Sequence, residues 1–342
     1  MKAPLYPHAR VQSIDSLRHP LGMEPDALRN LSARASRMYF VAKRVIKEDG
    51  SERVLYDTRQ PLKSVLQRIN EQFLRRVRYP EYLTGGVPGK DYKSSVDIHA
   101  NAATVIKEDI TKFYPSVSAA VVFDIWHRFF GFSAEVAELL AQLTTRDGHL
   151  EQGAPTSGYL ANLALWDVEP SMVQRLAERG IDRYSRHVDD ICISSERKLG
   201  GQEIAWAVSQ VYGMLRQKEL QAKRSKHKVM RSHAAITILK LVGNTKASLP
   251  SSERSRVRAM VHRFCKAGAE ATAEEHVQQL LAELPRVRGQ AYKVKRFHVT
   301  EGTRLAAKID EVARLLVTRR DSSVSSSWQL GPRRIIDACS ES

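Results

Sequence analysis

Asp109 closes a β-rich run, Ala103-Thr-Val-Ile-Lys-Glu-Asp109, and Asp189 and Asp190 stand together between two further β-rich runs within 182–194. Each feature alone is ordinary, since aspartates end strands and adjacent acids close hairpins. Their conjunction is informative, because strand-end carboxylates on separate β elements can converge at one sheet edge. There they can hold two Mg²⁺ ions roughly 3.5–4 Å apart, the arrangement used for phosphoryl transfer at nucleotides. Hard oxygen donors select Mg²⁺, with Mn²⁺ as a substitute. Cys192, Cys265 and Cys339 are far apart and form no CxxC or Cys/His cluster, which argues against zinc and against a disulfide framework.

The elements that must position these acids can be read from periodicity. Residues 14–46 read as helical, running into a strand pair, Phe40–Lys47 and Arg53–Tyr56, that flanks the turn chemistry of Glu48-Asp-Gly50-Ser. Leu62–Val77 has a helical apolar period, broken by Gly85-Gly86 and Pro88-Gly89. After the Asp109 strand come helices expected over 118–130, 133–143 and 156–179, then the strands around Asp189-Asp190 and an amphipathic helix over 202–220. Between the acids, Leu150-Glu-Gln-Gly-Ala-Pro-Thr-Ser-Gly158 is a loop of small residues entering a helix, with Thr156 or Ser157 as N-cap. Beyond Pro250 the chain reads as all-helical near 251–267, 272–284 and 301–318. Ser322–Ser327 reads as a low-complexity linker to a short tail.

The 342 residues carry 54 Lys+Arg against 38 Asp+Glu, a net charge of +16 that points to a polyanionic partner. The excess is uneven: 28 basic and 26 acidic residues lie up to Leu215, but 26 and 12 from Arg216 onward. Groups such as Arg254-Ser-Arg256-Val-Arg258 and Lys293-Val-Lys295-Arg296 suit a phosphate backbone without specifying sequence. With 42% hydrophobic residues, intrinsic disorder is excluded. The N-terminus lacks an apolar signal region and no run reaches the roughly 18 apolar residues of a membrane span, so the expectation is a soluble, intracellular protein with no membrane partner.

In order along the chain, FxxKRVIKxDGSxR, DITKFYPSV, EQGAPTSGYLANL and RYSRHVDD, then a basic segment and a basic helical C-terminal region, resemble the bacterial reverse transcriptases. The likeness is to the compact retron-type enzymes and their defence-associated relatives, over about residues 15–265. It implies an α+β right-hand polymerase: fingers over 1–100, a palm over 101–245 with an antiparallel, ferredoxin- or RRM-like sheet, a helical thumb over 246–320, and a flexible tail over 321–342. It further implies nucleotidyl transfer from dNTPs to a primer hydroxyl, a noncoding RNA partner and template, a DNA product, an effector protein from the same operon, and a bacterial cytoplasmic location.

Residue by residue, Asp109 matches the first palm carboxylate, with Ile110 beside it at the metal site, and Asp189 and Asp190 match the pair of the YxDD box. Tyr114 matches the aromatic gate that rejects a ribose 2′-hydroxyl, next to Phe113. Gln152 and Gly153 match the loop at the incoming nucleotide and template. Lys47 and Arg53 fall on the fingers hairpin that grips the triphosphate, and either Lys226 or Lys228 matches a lysine near the leaving pyrophosphate, acting as general acid. His187, Val188, Lys240, Arg254 and Arg258 fall where the family meets primer and template. The chain departs from the pattern at three points: His187 replaces the usual Tyr, Lys240 replaces the glycine of the VTG tripeptide, and Glu151 replaces a proline. None removes a metal ligand. Two other functions are open: a defence polymerase making untemplated or repetitive, protein-primed DNA, for which the hydroxyls after Ser322 are conceivable primers, and an RNA-binding scaffold with an inactive palm.

Overall fold

The computed structural model describes residues 3–46, 50 and 52–327, with side chains through Asp321. The chain divides into two compact units, residues 1–247 and the part from Ser248 onward.

The first unit begins with a 3₁₀ turn (Ile14–Leu17), α1 (Arg18–Leu21) and α2 (Pro25–Arg34), whose Leu17, Leu21, Leu28 and Leu31 are buried; the helical reading ends at Met38 and strand β1 (Tyr39–Ile46) takes over. It pairs antiparallel with β2 (Glu52–Thr58) across a bulge between Val41 and Lys43. In α3 (Leu62–Gln72), Leu62, Val65, Leu66 and Ile69 fall on one helical face and are buried. Asp91 caps α4 (Tyr92–Ile98) by accepting from the amides of Lys93 and Ser94.

Strand β3 (Thr104–Asp109) is nearly continuous in burial, as expected of a central strand. The chain then forms α5 (Phe113–Ser116), α6 (Ala119–Asp124) with a π-helical continuation over Ile125–Phe129, and α7 (Ala134–Thr144). Trp126, Phe130 and Phe132 from this region pack with Phe73 into an aromatic cluster. The single helix expected over 156–179 is two, α8 (Ser157–Leu163) and α9 (Glu169–Glu178). Pro170 accounts for the break, because it lacks the amide that would bond the Trp166 carbonyl in a continuous helix and suits the first turn of a new one.

Strands β4 (Arg183–His187) and β5 (Asp190–Ser195), helix α10 (Gly201–Arg216) and strand β6 (Lys228–Arg231) complete a four-stranded sheet of order β4-β5-β3-β6, antiparallel throughout. With helices between β3 and β4 and between β5 and β6, this is the split βαββαβ arrangement of ferredoxin-like sheets. A hairpin of β7 (Thr237–Ile238) and β8 (Leu241–Val242) follows, turned by Leu239 and Lys240 with φ of +49° and +66°.

The second unit consists of α11 (Ser251–Glu270), α12 (Glu274–Phe297) and α13 (Val299–Ser327). Buried Val257, Val261, Val287, Val294, Ile309 and Leu316 form its core. Two expectations are corrected here. Helix α12 does not end at 284 but continues through Pro285; a proline removes one backbone hydrogen bond, and packing against both α11 and α13 holds the helix across it. Ser322–Ser327 is not a linker: α13 carries its backbone helical through Ser327. Among the described residues, no helix is long and apolar enough to cross a membrane.

Candidate active site

The register of the central strands brings the acids together. Asp109 and Asp190 are direct partners across β3–β5, and His187 faces Asp190 across β4–β5. The intervening turn is Val188-Asp189, so Asp190 already belongs to β5. The amide of Ile110 donates to the Asp189 carbonyl at 2.9 Å, tying the two chain ends, while the Ile110 side chain is buried.

Val188 has φ +60°, a costly conformation for a β-branched residue that persists only where the surroundings enforce it. They do so here. The segment Tyr82–Gly85 runs beside β4: Arg186 N donates to Tyr82 O at 2.9 Å, Thr84 N to Arg186 O at 3.0 Å, and Thr84 Oγ1 lies 3.2 Å from His187 Nδ1. A Cβ on Gly85 would sit 2.7 Å from both the amide nitrogen and Cγ2 of Val188. The Gly85 carbonyl accepts from Asn162 Nδ2 at 2.6 Å. Replacing Gly85 with Ala should therefore displace the turn. Gly85→Ala is expected to cost about 1–3 kcal/mol in urea denaturation and to reduce nucleotide incorporation by more than the folded fraction alone explains; unchanged activity would show that the turn tolerates displacement.

Beneath the turn, Arg186 is fully buried and holds Glu169, also buried, through Nε and Nη2 at 2.6 and 2.8 Å. Its remaining donors reach the carbonyls of Asn162 at 2.8 Å and Val188 at 3.3 Å. Tyr184 donates to Glu169 at 2.6 Å, and the Phe113 ring lies 5.8 Å from the Arg186 guanidinium. Phe113 is thus a core residue, 3% exposed, at the edge of the cleft.

Each of two acids carries an ammonium group. Lys226 Nζ is 2.5 Å from Asp109 Oδ2, and Lys107 Nζ is 2.8 Å from Asp190 Oδ1. Burial, and then the neighbouring Asp109 and Asp190 charges, push the Asp189 carboxyl above its usual range. Burial lowers the His187 imidazole, favouring its neutral form. Among the described residues, no three acidic, histidine or cysteine side chains are gathered as they stand closely enough to hold a metal ion.

The acids open onto a cleft of about 700 Å³. Ile110, Tyr114, Gln152, His187, Val188, Lys226 and Arg53 line it with them, so most of the residues singled out in the sequence share one site. Burial, followed by the nearby Asp189 charge, raises the Tyr114 hydroxyl. The amide of Tyr56 on β2 donates to the Gln152 carbonyl at 2.8 Å, and Gly153 has φ +109° with a Cβ position only 2.4 Å from Tyr56 O. No side chain fits there, which explains the glycine. Glu151, the departure from proline, pairs with Arg146 at 2.9 Å, and Arg146 lies over the Tyr56 ring.

Other expected residues lie elsewhere. Lys228 is exposed on β6 and does not line the cleft, so Lys226 is the lysine at the acids. Lys240 occupies the β7–β8 turn, outside the residues lining the cleft. Within the second unit, Arg254 and Arg258 both pair with Glu301, at 2.6 Å, and Lys293 pairs with Glu253 at 2.6 Å. Lys47 lies outside the described residues. Lys107, Gly85, Asn162, Glu169 and Arg186 were missed in the sequence; only the alternation of β3, which puts Lys107 on the face of Asp109, offered a signal.

No family model matches the chain. It is 30% identical over 316 residues to the retron Se72 reverse transcriptase of Salmonella heidelberg (strain 579083-10), covering 91% of this chain and 82% of that protein. It is 29% identical to the retron Ec48 reverse transcriptase of Escherichia coli, covering 75% and 65%, and 27% identical to the retron Mx65 reverse transcriptase of Myxococcus xanthus, covering 77% and 65%. Among solved structures, apo telomerase from Candida tropicalis aligns over 94% of this chain and 67% of its own at 10% identity with a TM-score of 0.46, a likeness too slight to argue from. On sequence, with its acids paired across β3 and β5, the chain belongs to the retron reverse transcriptases and is an RNA-directed DNA polymerase.

Proposed function

We propose that the chain transfers nucleotides from dNTPs to a primer hydroxyl by two-Mg²⁺ chemistry, templated by a cognate noncoding RNA, within a retron that serves antiviral defence with an effector protein. In this reading β1–β2 are the fingers hairpin, the β4-β5-β3-β6 sheet is the palm and α11–α13 are the thumb. One observation carries it: Asp109 and Asp190 face each other across β3–β5, with Asp189 on the adjoining turn, in a cleft that Tyr114, Gln152 and Arg53 also line.

The donors fit a divalent cation on chemical grounds. They are carboxylate oxygens only, two of the three already hold a cationic group, and Asp189 is disfavoured as an anion until positive charge arrives. When bound, Mg²⁺ would activate the primer hydroxyl and neutralise the leaving pyrophosphate. The protein's own part is positioning. Asp109 and Asp189 would hold the ions, Arg53 would meet the triphosphate, and Lys226 would carry at Nζ the proton for the departing pyrophosphate. Gln152, fixed to β2 through its carbonyl, would set the floor for the incoming base.

Tyr114 would stand where a ribose 2′-hydroxyl would project. Tyr114→Val is expected to raise incorporation of rNTPs relative to dNTPs by about 10- to 100-fold, measured as the ratio of kcat/KM values in primer extension. An unchanged ratio would remove Tyr114 from nucleotide selection.

A further inference from the structure

We propose that Lys107 is a positioning residue that restrains Asp190 and thereby sets how tightly the carboxylate cluster binds divalent cations; this rests on the metal-dependent reading above. The two ammonium groups at the acids are not equivalent. Lys226 sits on the short 3₁₀ segment Arg224–Lys226 and its side chain is 49% exposed, so an arriving cation can displace it from Asp109 toward the open cleft. Lys107 is on β3, hydrogen-bonded to β5 on one side and β6 on the other, and its side chain is 22% exposed. It has no comparable way out.

Strand alternation puts Lys107 two residues before Asp109, on the same face, while Glu108 points to the opposite face, where it is fully buried against His227 and Tyr212. Directly across β5 from Lys107 stands Cys192, so its Nζ reaches diagonally to Asp190. Lys228 is its partner across β6, and that second positive charge discourages any swing away from β5. Among the described residues Asp189 makes no such ion pair, and the Lys226 charge only partly offsets the upward push on its carboxyl. The cluster is therefore asymmetric: Asp109 and Asp189 become free to share cations once Lys226 leaves, while Asp190 stays tethered. Held by that ammonium, Asp190 offers the ions one carboxylate oxygen fewer, and the cluster binds them less tightly.

The test is direct binding of Mn²⁺ to the full chain, read from the electron paramagnetic resonance of free Mn²⁺, with melting temperature as the control for folding. Lys107→Met, similar in length and uncharged, is expected to tighten Mn²⁺ binding by about tenfold, whereas Lys107→Arg leaves it near wild type. In an Asp190→Asn background the tightening should largely vanish, because Lys107 acts through that carboxylate. Unchanged or weaker binding by a folded Lys107→Met protein overturns the proposal, as does tightening that persists with Asp190→Asn. If Lys107→Met fails to fold, Lys107→Gln is read against the same expectations. Failure of the underlying reading looks different: wild-type protein would then bind no Mn²⁺ that Asp109→Asn or Asp189→Asn removes.

Discussion

Asp189→Asn is expected to lower dNTP incorporation by at least about 10³-fold, because it removes a charged donor from a site whose chemistry depends on charge neutralisation. The same substitution should not weaken the fold. Asp189 is half-buried beside two other acids and its carboxyl is pushed up, so its charged form is unfavourable in the cation-free protein. The sign follows: a carboxyl with a raised folded-state pKa binds more protons folded than unfolded, so stability falls as pH rises through that pKa. Above that pKa the full penalty is present, and Asp189→Asn should relieve it, raising the cation-free melting temperature there while abolishing activity. A variant that is inactive because it is unfolded would break this pairing, and thermal melts in EDTA beside primer-extension rates distinguish the two.

Arg186→Met is expected to be the most destabilising substitution in the first unit, by about 3–5 kcal/mol. The pair with Glu169 is fully buried on both sides, and truncating one partner leaves an uncompensated buried carboxylate. The loss also unties the Asn162 and Val188 carbonyls, so the strained Val188 turn loses a restraint. Arg186→Met combined with Glu169→Leu should recover much of the stability, since removing both charges avoids the unpaired one, but should not restore the turn. Urea denaturation of the single and double variants measures the coupling. A loss below about 1 kcal/mol for Arg186→Met, typical of surface pairs, would mean that the pair is hydrated in solution.

The acids were legible because their signal is local. Asp109 ends a β-rich run and Asp189-Asp190 interrupt another, and strand ends are where a sheet presents side chains to a cleft. Tyr114 and Gln152 followed from the motif order around them. What escaped depended on register or on distant partners. Nothing in the spacing separates Lys226 from Lys228; the pairing of Lys107 with Lys228 across β6 commits Lys228 to the strand and leaves Lys226 on the segment beside Asp109. Arg186 reads as one more basic residue until the fold buries it against Glu169. Arg254 and Arg258 read as a phosphate track, yet the turn between α12 and α13 brings Glu301 to both. Pro285 and Pro170 show the limit of punctuation: one is carried inside a helix held by its neighbours, the other starts one.

The most direct test of RNA-templated, carboxylate-dependent synthesis is to purify the full chain with the nucleic acid that accompanies it, supply labelled dNTPs and Mg²⁺, and sequence both product and bound RNA. DNA complementary to that RNA, absent with EDTA and absent from Asp189→Asn, is the expected result. DNA unrelated to any bound RNA, or a product undiminished in Asp189→Asn, would contradict it.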